Sequence, residues 1–183
     1  MFGIKKNIVL VVGGLIFMTS GHGYAQTINT ISSLDFGSFD FATSYNATIQ
    51  LGSNGNIAII GSGIVSNGGE AAGQIRITLP DTGIVDVKCA VQAVLYDASA
   101  TDLTIDNIEL SVNMGVAFGA GNSCQGLGGG DGVAVSIDMD ALPDPNVYIG
   151  GEIVINTPIT VPNDHTYSTV GAGTPIMLSV VVQ

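Results

Sequence analysis

Tryptophan is absent from the 183 residues, histidine occurs twice and basic residues only four times. Two of those basic residues, Lys5 and Lys6, stand at the start, which leaves Arg76 and Lys88 against fifteen acidic side chains. So little positive charge excludes nucleic acid as a partner, because nothing neutralises phosphate. Anionic membrane surfaces are disfavoured for the same reason. Catalytic signatures are missing too: there is no G-x-S-x-G, H-E-x-x-H, Walker lysine or G-x-G-x-x-G string. His165, in the turn-like Pro162-Asn163-Asp164-His165-Thr166, stands alone once a leader containing His22 is removed. The expectation is a protein that is not an enzyme and uses no cofactor. A hydrolase built around His165 would lose its activity in His165→Ala. Long apolar runs are lacking as well. The longest, Ile8 to Met18, falls short of the roughly 20 residues a spanning helix needs, and Gly13 and Gly14 interrupt it.

What is present begins with that run. A short segment with Lys5 and Lys6, the apolar stretch, and Gly23-Tyr24-Ala25 form a secretory signal peptide over residues 1–25, with cleavage expected before Gln26. The remaining 158 residues, 26–183, carry a formal charge of −13 and suffice for one domain with a core. No membrane span is expected after cleavage. Cys89 and Cys124 are an even pair in an exported chain, so a single disulfide is expected.

Glycine, 26 of 183, is at about twice its usual share, and only 10 % of residues are charged. No segment has helical amphipathic periodicity, whereas short Val/Ile/Thr-rich runs alternate between turn signals. The expected fold is all-β, a single-domain β-sandwich of Ig-like or pilin-like type with eight or nine strands. Expected strands include Gln74 to Leu79, Val133 to Ile137, Val147 to Ile155 and Ile176 to Val182. Ile84 to Leu95 reads as one long strand with Val85, Val87, Cys89, Val91 and Ala93 on one face. Its return lies within Leu103 to Phe118, where Leu110, Val112, Met114 and Val116 alternate. Gly61 to Gly73 reads as a polar, glycine-rich loop, and Gln26 to Leu34 as an N-terminal arm.

Three strings invite a specific chemistry and do not sustain it. Leu79-Pro80-Asp81-Thr82-Gly83 matches a sortase signal, but a hundred residues of domain follow and the chain ends at Gln183 without an anchor or basic tail. Ordinary turn chemistry accounts for it. Gly126 to Val133 approximates one calcium-binding nonapeptide, yet such sites need stacked copies. Asp138, Asp140 and Asp144 lack the glycine and distal glutamate of an EF-hand, so a solvated strand edge is the reading and no metal is expected.

Leu34-Asp35-Phe36-Gly37 after the arm, Gly73-Gln74-Ile75-Arg76-Ile77-Thr78-Leu79, and Ile149-Gly150-Gly151-Glu152-Ile153-Val154-Ile155 follow one another in an order that resembles a family. It is a family of secreted Gram-negative proteins of unknown function with fimbria-like or pilin-like β domains. Subunits of the common-pilus (Mat) type are the nearest characterised analogue. The resemblance spans the mature chain and departs from the family at the end, where Val180-Val181-Val182-Gln183 has no aromatic residue. It implies a structural or adhesive surface subunit of a fimbria or pilus assembled by strand exchange. Its partners would be further copies or other pilus subunits, with a chaperone and usher. The expected location is outside the cytoplasm of a Gram-negative bacterium: the cell surface as part of a fimbrium, or else secreted or periplasmic. In that reading residues 26–34 are a donor arm with Ile28, Ile31 and Leu34 as plugs. The alternative is a monomeric secreted or periplasmic binding module.

Overall fold

The computed structural model describes residues 7–10, 27–78, 83–97, 102–127, 132–155, 166–168, 176 and 178–182. The described residues form fourteen strands and no helix, so none is long and apolar enough to cross a membrane. In chain order they are β1 (Asn7–Leu10), β2 (Thr27–Ser32), β3 (Leu34–Gly37), β4 (Phe39–Leu51), β5 (Ile57–Ser66), β6 (Gly73–Thr78), β7 (Ile84–Cys89), β8 (Ala93–Leu95), β9 (Leu103–Val112), β10 (Asn122–Ser123), β11 (Val133–Asp138), β12 (Asn146–Ile155), β13 (Thr166–Ser168) and β14 (Leu178–Val182). The chain is an all-β sandwich with one disulfide, Cys89–Cys124.

The larger sheet is organised around β12. One edge of β12 pairs with β9 along its length. The other edge is shared: Asn146 to Ile149 pair with β6, and Gly151 to Ile155 pair with β4. Two hairpin-like arms therefore leave the same side of β12, β4–β5 from one half and β6–β2 from the other. β9 is divided in the same way, with β8 on its first half and β10 on its second. A three-stranded sheet, β11–β7–β14, covers the main sheet, and buried side chains of both make one continuous core. Ile49, Leu51, Ile75, Ile105, Leu110, Ile149 and Ile153 come from the main sheet, and Val85, Val87, Ile137, Leu178 and Val180 from the cover. A third small sheet sets β1, inside the expected leader, between β3 and β13.

Phe36 and Phe39, both fully buried, flank a left-handed Gly37 at φ 82°. A Cβ there would lie 2.7 Å from the Gly68 carbonyl oxygen and 2.9 Å from the Glu70 nitrogen. Glycine thus lets the chain turn between two aromatics that both enter the core. Phe41 continues the series, edge-on to Tyr45 with ring centroids 5.0 Å apart.

Several expectations are corrected. There are more strands than the eight or nine read from alternation. Residues 84–95 are two strands of different sheets, with exposed Val91 at the crossing between them. The return strand ends at Val112, followed by Asn113 at φ 63°, so Met114 is exposed rather than part of the alternation. The expected loop from Gly61 is strand as far as Ser66, because β4 supplies it with a ladder.

Candidate assembly site

Strand β2 holds the arm residues and lies antiparallel on the edge of β6. Thr27 faces Thr78, Ile28 faces Ile77, Asn29 faces Arg76 and Thr30 faces Ile75. The register then slips, so that Ser32 faces Gln74 and Ile31 is the extra residue of a β-bulge. Ile28 is half-buried against the core, Ile31 is 48 % exposed, and Leu34 is fully buried where β3 begins. The Ser32 hydroxyl donates to the Ala72 carbonyl at 2.9 Å and fastens the end of the arm. Of the three plug residues, two therefore turn toward the arm's own domain and Ile31 turns outward.

Cys89 closes β7 and Cys124 follows β10, with Cα atoms 5.1 Å apart. The bond ties the covering sheet to the main sheet. Asp138 ends β11, and its carboxylate accepts the Asp140 N–H at 3.0 Å, while Asp140 and Asp144 are exposed. No group of three or more His, Cys, Asp or Glu among the described residues is arranged to hold a metal ion. His165, Leu79 to Thr82, and Gly128 to Asp131 of the nonapeptide-like string lie outside the described residues.

Two acidic environments were not legible in the sequence. Glu109, 3 % exposed, sits where four successive residues of β9 are buried and the segment after Val112 folds back over the strand. One carboxylate oxygen accepts the N–H groups of Gly119 at 2.9 Å and Gly121 at 3.3 Å, whereas the other has no partner. Burial pushes its pKa up, and the two N–H groups oppose this only in part. Beside it the Ser53 and Ser111 hydroxyls are 2.7 Å apart, and Ser53 accepts the Val116 N–H at 2.9 Å. Asp35 is likewise raised, first by burial and then by the Glu70 charge, against the Gly37 N–H that its carboxylate accepts at 2.8 Å.

A carboxyl whose folded pKa exceeds its unfolded value favours folding fully below the unfolded value. That contribution is lost as pH rises through the folded pKa. Stability should therefore rise on acidification from neutral pH toward the ordinary carboxylate range. Glu109→Gln keeps an acceptor for the two glycine N–H groups and removes the buried charge. It is expected to be about 1 kcal/mol more stable than the parent at pH 7.5, with the difference gone near pH 4. Urea unfolding at both pH values checks this, and equal offsets at the two would contradict it.

On the outer face of the main sheet, Glu152 of β12 stands directly across from Asp106 of β9. Amides separate the like charges: Gln50 donates to Glu152 at 3.1 Å, Asn107 donates to its other oxygen, and Gln92 donates to Asp106 at 2.6 Å. Comparison with family models, curated proteins and solved structures gives no match at any of the three levels.

Proposed function

We propose that this chain is an exported structural or adhesive surface subunit that assembles by strand exchange into a fimbria-like filament. The observation that carries the reading is β2, an uncharged strand at the start of the mature chain, docked on the edge of its own β6 and followed by the buried anchor Leu34. A strand bound this way in one subunit meets the same ladder if a neighbour supplies it, so exchange conserves its hydrogen bonds. Donation from each subunit to the next does not close and yields a filament. Leader cleavage before Gln26 would also take β1 away from β3 and β13, opening a further edge beside Leu34 and Phe36.

A monomeric binding module is the second reading, favoured by the same pairing of β2 within one chain. The two separate on an unboiled SDS gel of the sheared surface fraction. The subunit should run as a ladder that collapses to one band on boiling, and deletion of residues 26–32 should abolish the ladder while sparing Leu34. A lone monomer band, with the protein in periplasm or medium, would overturn the filament.

A further inference from the structure

Strand β5 is the outer member of the β4–β5 hairpin, and among the described residues no strand pairs with its far edge. Its ten residues, Ile57 to Ser66, contain no proline and no charge. The whole segment 41–69 lacks Asp, Glu, Lys, Arg and His, in a chain whose mature part has a formal charge of −13. Edges of this length are ordinarily blunted by charge, proline or a cover. Here Ile60 is 56 % and Val65 62 % exposed.

The ladder alternation tells which groups the edge offers. Gly52 N–H donates to the Asn56 carbonyl at 3.0 Å, and the register then runs Leu51–Ile57, Gln50–Ala58, Ile49–Ile59, Thr48–Ile60. Hydrogen-bonded and non-bonded pairs alternate along an antiparallel ladder. Ala58 and Ile60 therefore turn their N–H and C=O toward β4, and Ile57 and Ile59 turn theirs toward the open edge. The side chains of Ala58 and Ile60 are exposed on the outer face, while Ile57 and Ile59 are half-buried against the core.

We propose that β5 is a self-pairing edge, through which two copies of this chain join antiparallel about a two-fold axis passing beside Ile59. Side chains across an antiparallel pair share a face, so the two-fold must pass a residue rather than a peptide. At Ile59 the outward N–H of each copy then donates to the Ile59 C=O of the other. Ala58 then lies opposite Ile60 of the second copy, a small residue against a large one, twice. The row Ile60–Thr48–Val154, aligned across β5, β4 and β12, continues this uncharged strip into each subunit. A second copy is the occupant that charge selects. Two strongly acidic chains repel over most of their surface and approach at least cost where both are neutral, whereas a basic partner would seek the acidic faces.

An isologous contact closes on itself. It pairs two subunits, or two filaments side by side, and is independent of exchange through β2. The contact is small, so a dimer of micromolar strength is expected. Sedimentation equilibrium of the exported, oxidised protein should give a monomer–dimer equilibrium. Ala58→Glu and Ile60→Glu should each weaken it at least about tenfold, while the thermal midpoint measured well below the dimer's Kd, where all three proteins are monomeric, stays that of the parent. Deletion of residues 26–32 should leave the dimer intact. Ala58→Cys and Ile60→Cys proteins should cross-link when mixed, and neither should do so efficiently alone. A monomer at 100 μM, or a dimer indifferent to Ile60→Glu, would overturn the proposal. A dimer lost on deletion of residues 26–32 would overturn it in favour of strand exchange alone.

Discussion

Replacing Cys89 and Cys124 together by alanine is expected to destabilise the protein by about 3–4 kcal/mol, the chain-entropy value for a closure of this length. The two cysteines are 35 residues apart in sequence, and the loop between them contains β8, β9 and β10. The bond joins the end of β7 in the covering sheet to the main sheet, so it limits how far the two layers separate in the unfolded chain. In the folded state the neighbourhood has other ties. Cys124 N–H donates to the Ile108 carbonyl at 2.8 Å, and Gly126 N–H donates to the Cys89 carbonyl at 3.0 Å. Both cysteines are buried, so alanine leaves no stranded hydroxyl. The native fold should persist in the variant, with a thermal midpoint lower by roughly 10 °C. The parent should approach the same midpoint in strong reductant. A midpoint unchanged by both treatments would mean that the backbone ties alone hold the layers together.

Half-buried strands announce themselves by alternation, which is why the bounds of β6, β11, β12 and β14 follow closely from the sequence. The misreadings have a common cause in tertiary pairing. Across Ala90 to Gln92 the chain leaves one sheet for the other without glycine or proline, and Val85, Val87, Cys89, Ala93 and Leu95 stay in phase, so no local signal marks the crossing. Gly61 and Gly63 suggested a loop, yet β4 carries an irregularity between Phe41 and Asn46 that accommodates them in a ladder. At the candidate site, the bulge at Ile31 and the docking of β2 on β6 are matters of register that local sequence does not mark. Glu109 could not be found from the sequence, since burial of both faces of β9 at residues 108–111 depends on a segment folding back from Asn113 onward.

Gly150→Ala is expected to cost about 3 kcal/mol, at the upper end of the overpacking range, and Gly151→Ala less, about 1–2 kcal/mol. The neighbouring glycines occupy the fork where β12 passes from β6 to β4, with Ile149 facing Gly73 and Gly151 facing Leu51. A Cβ on Gly150 would lie 2.4 Å from the Leu51 carbonyl oxygen, 2.9 Å from the Ser53 nitrogen and 3.0 Å from the Gly52 carbonyl carbon. All three are backbone atoms at the end of β4, so relief requires the start of the β4–β5 hairpin to move. At Gly151 the one close atom is Ile105 Cγ2 at 2.8 Å, a branch methyl of a fully buried side chain. The nearest backbone atom, the Asp106 carbonyl oxygen, is 3.5 Å away, so relief there needs a local shift of one core side chain and no movement of the hairpin. Chemical denaturation of the two variants measures the contrast, and equal losses would show that the hairpin yields as readily as one isoleucine. Because β5 begins directly after this turn, the displacement in Gly150→Ala should also disturb the Ile57–Ile60 edge. Its dimer should then weaken beyond what the stability loss alone explains, while Gly151→Ala dimerises like the parent.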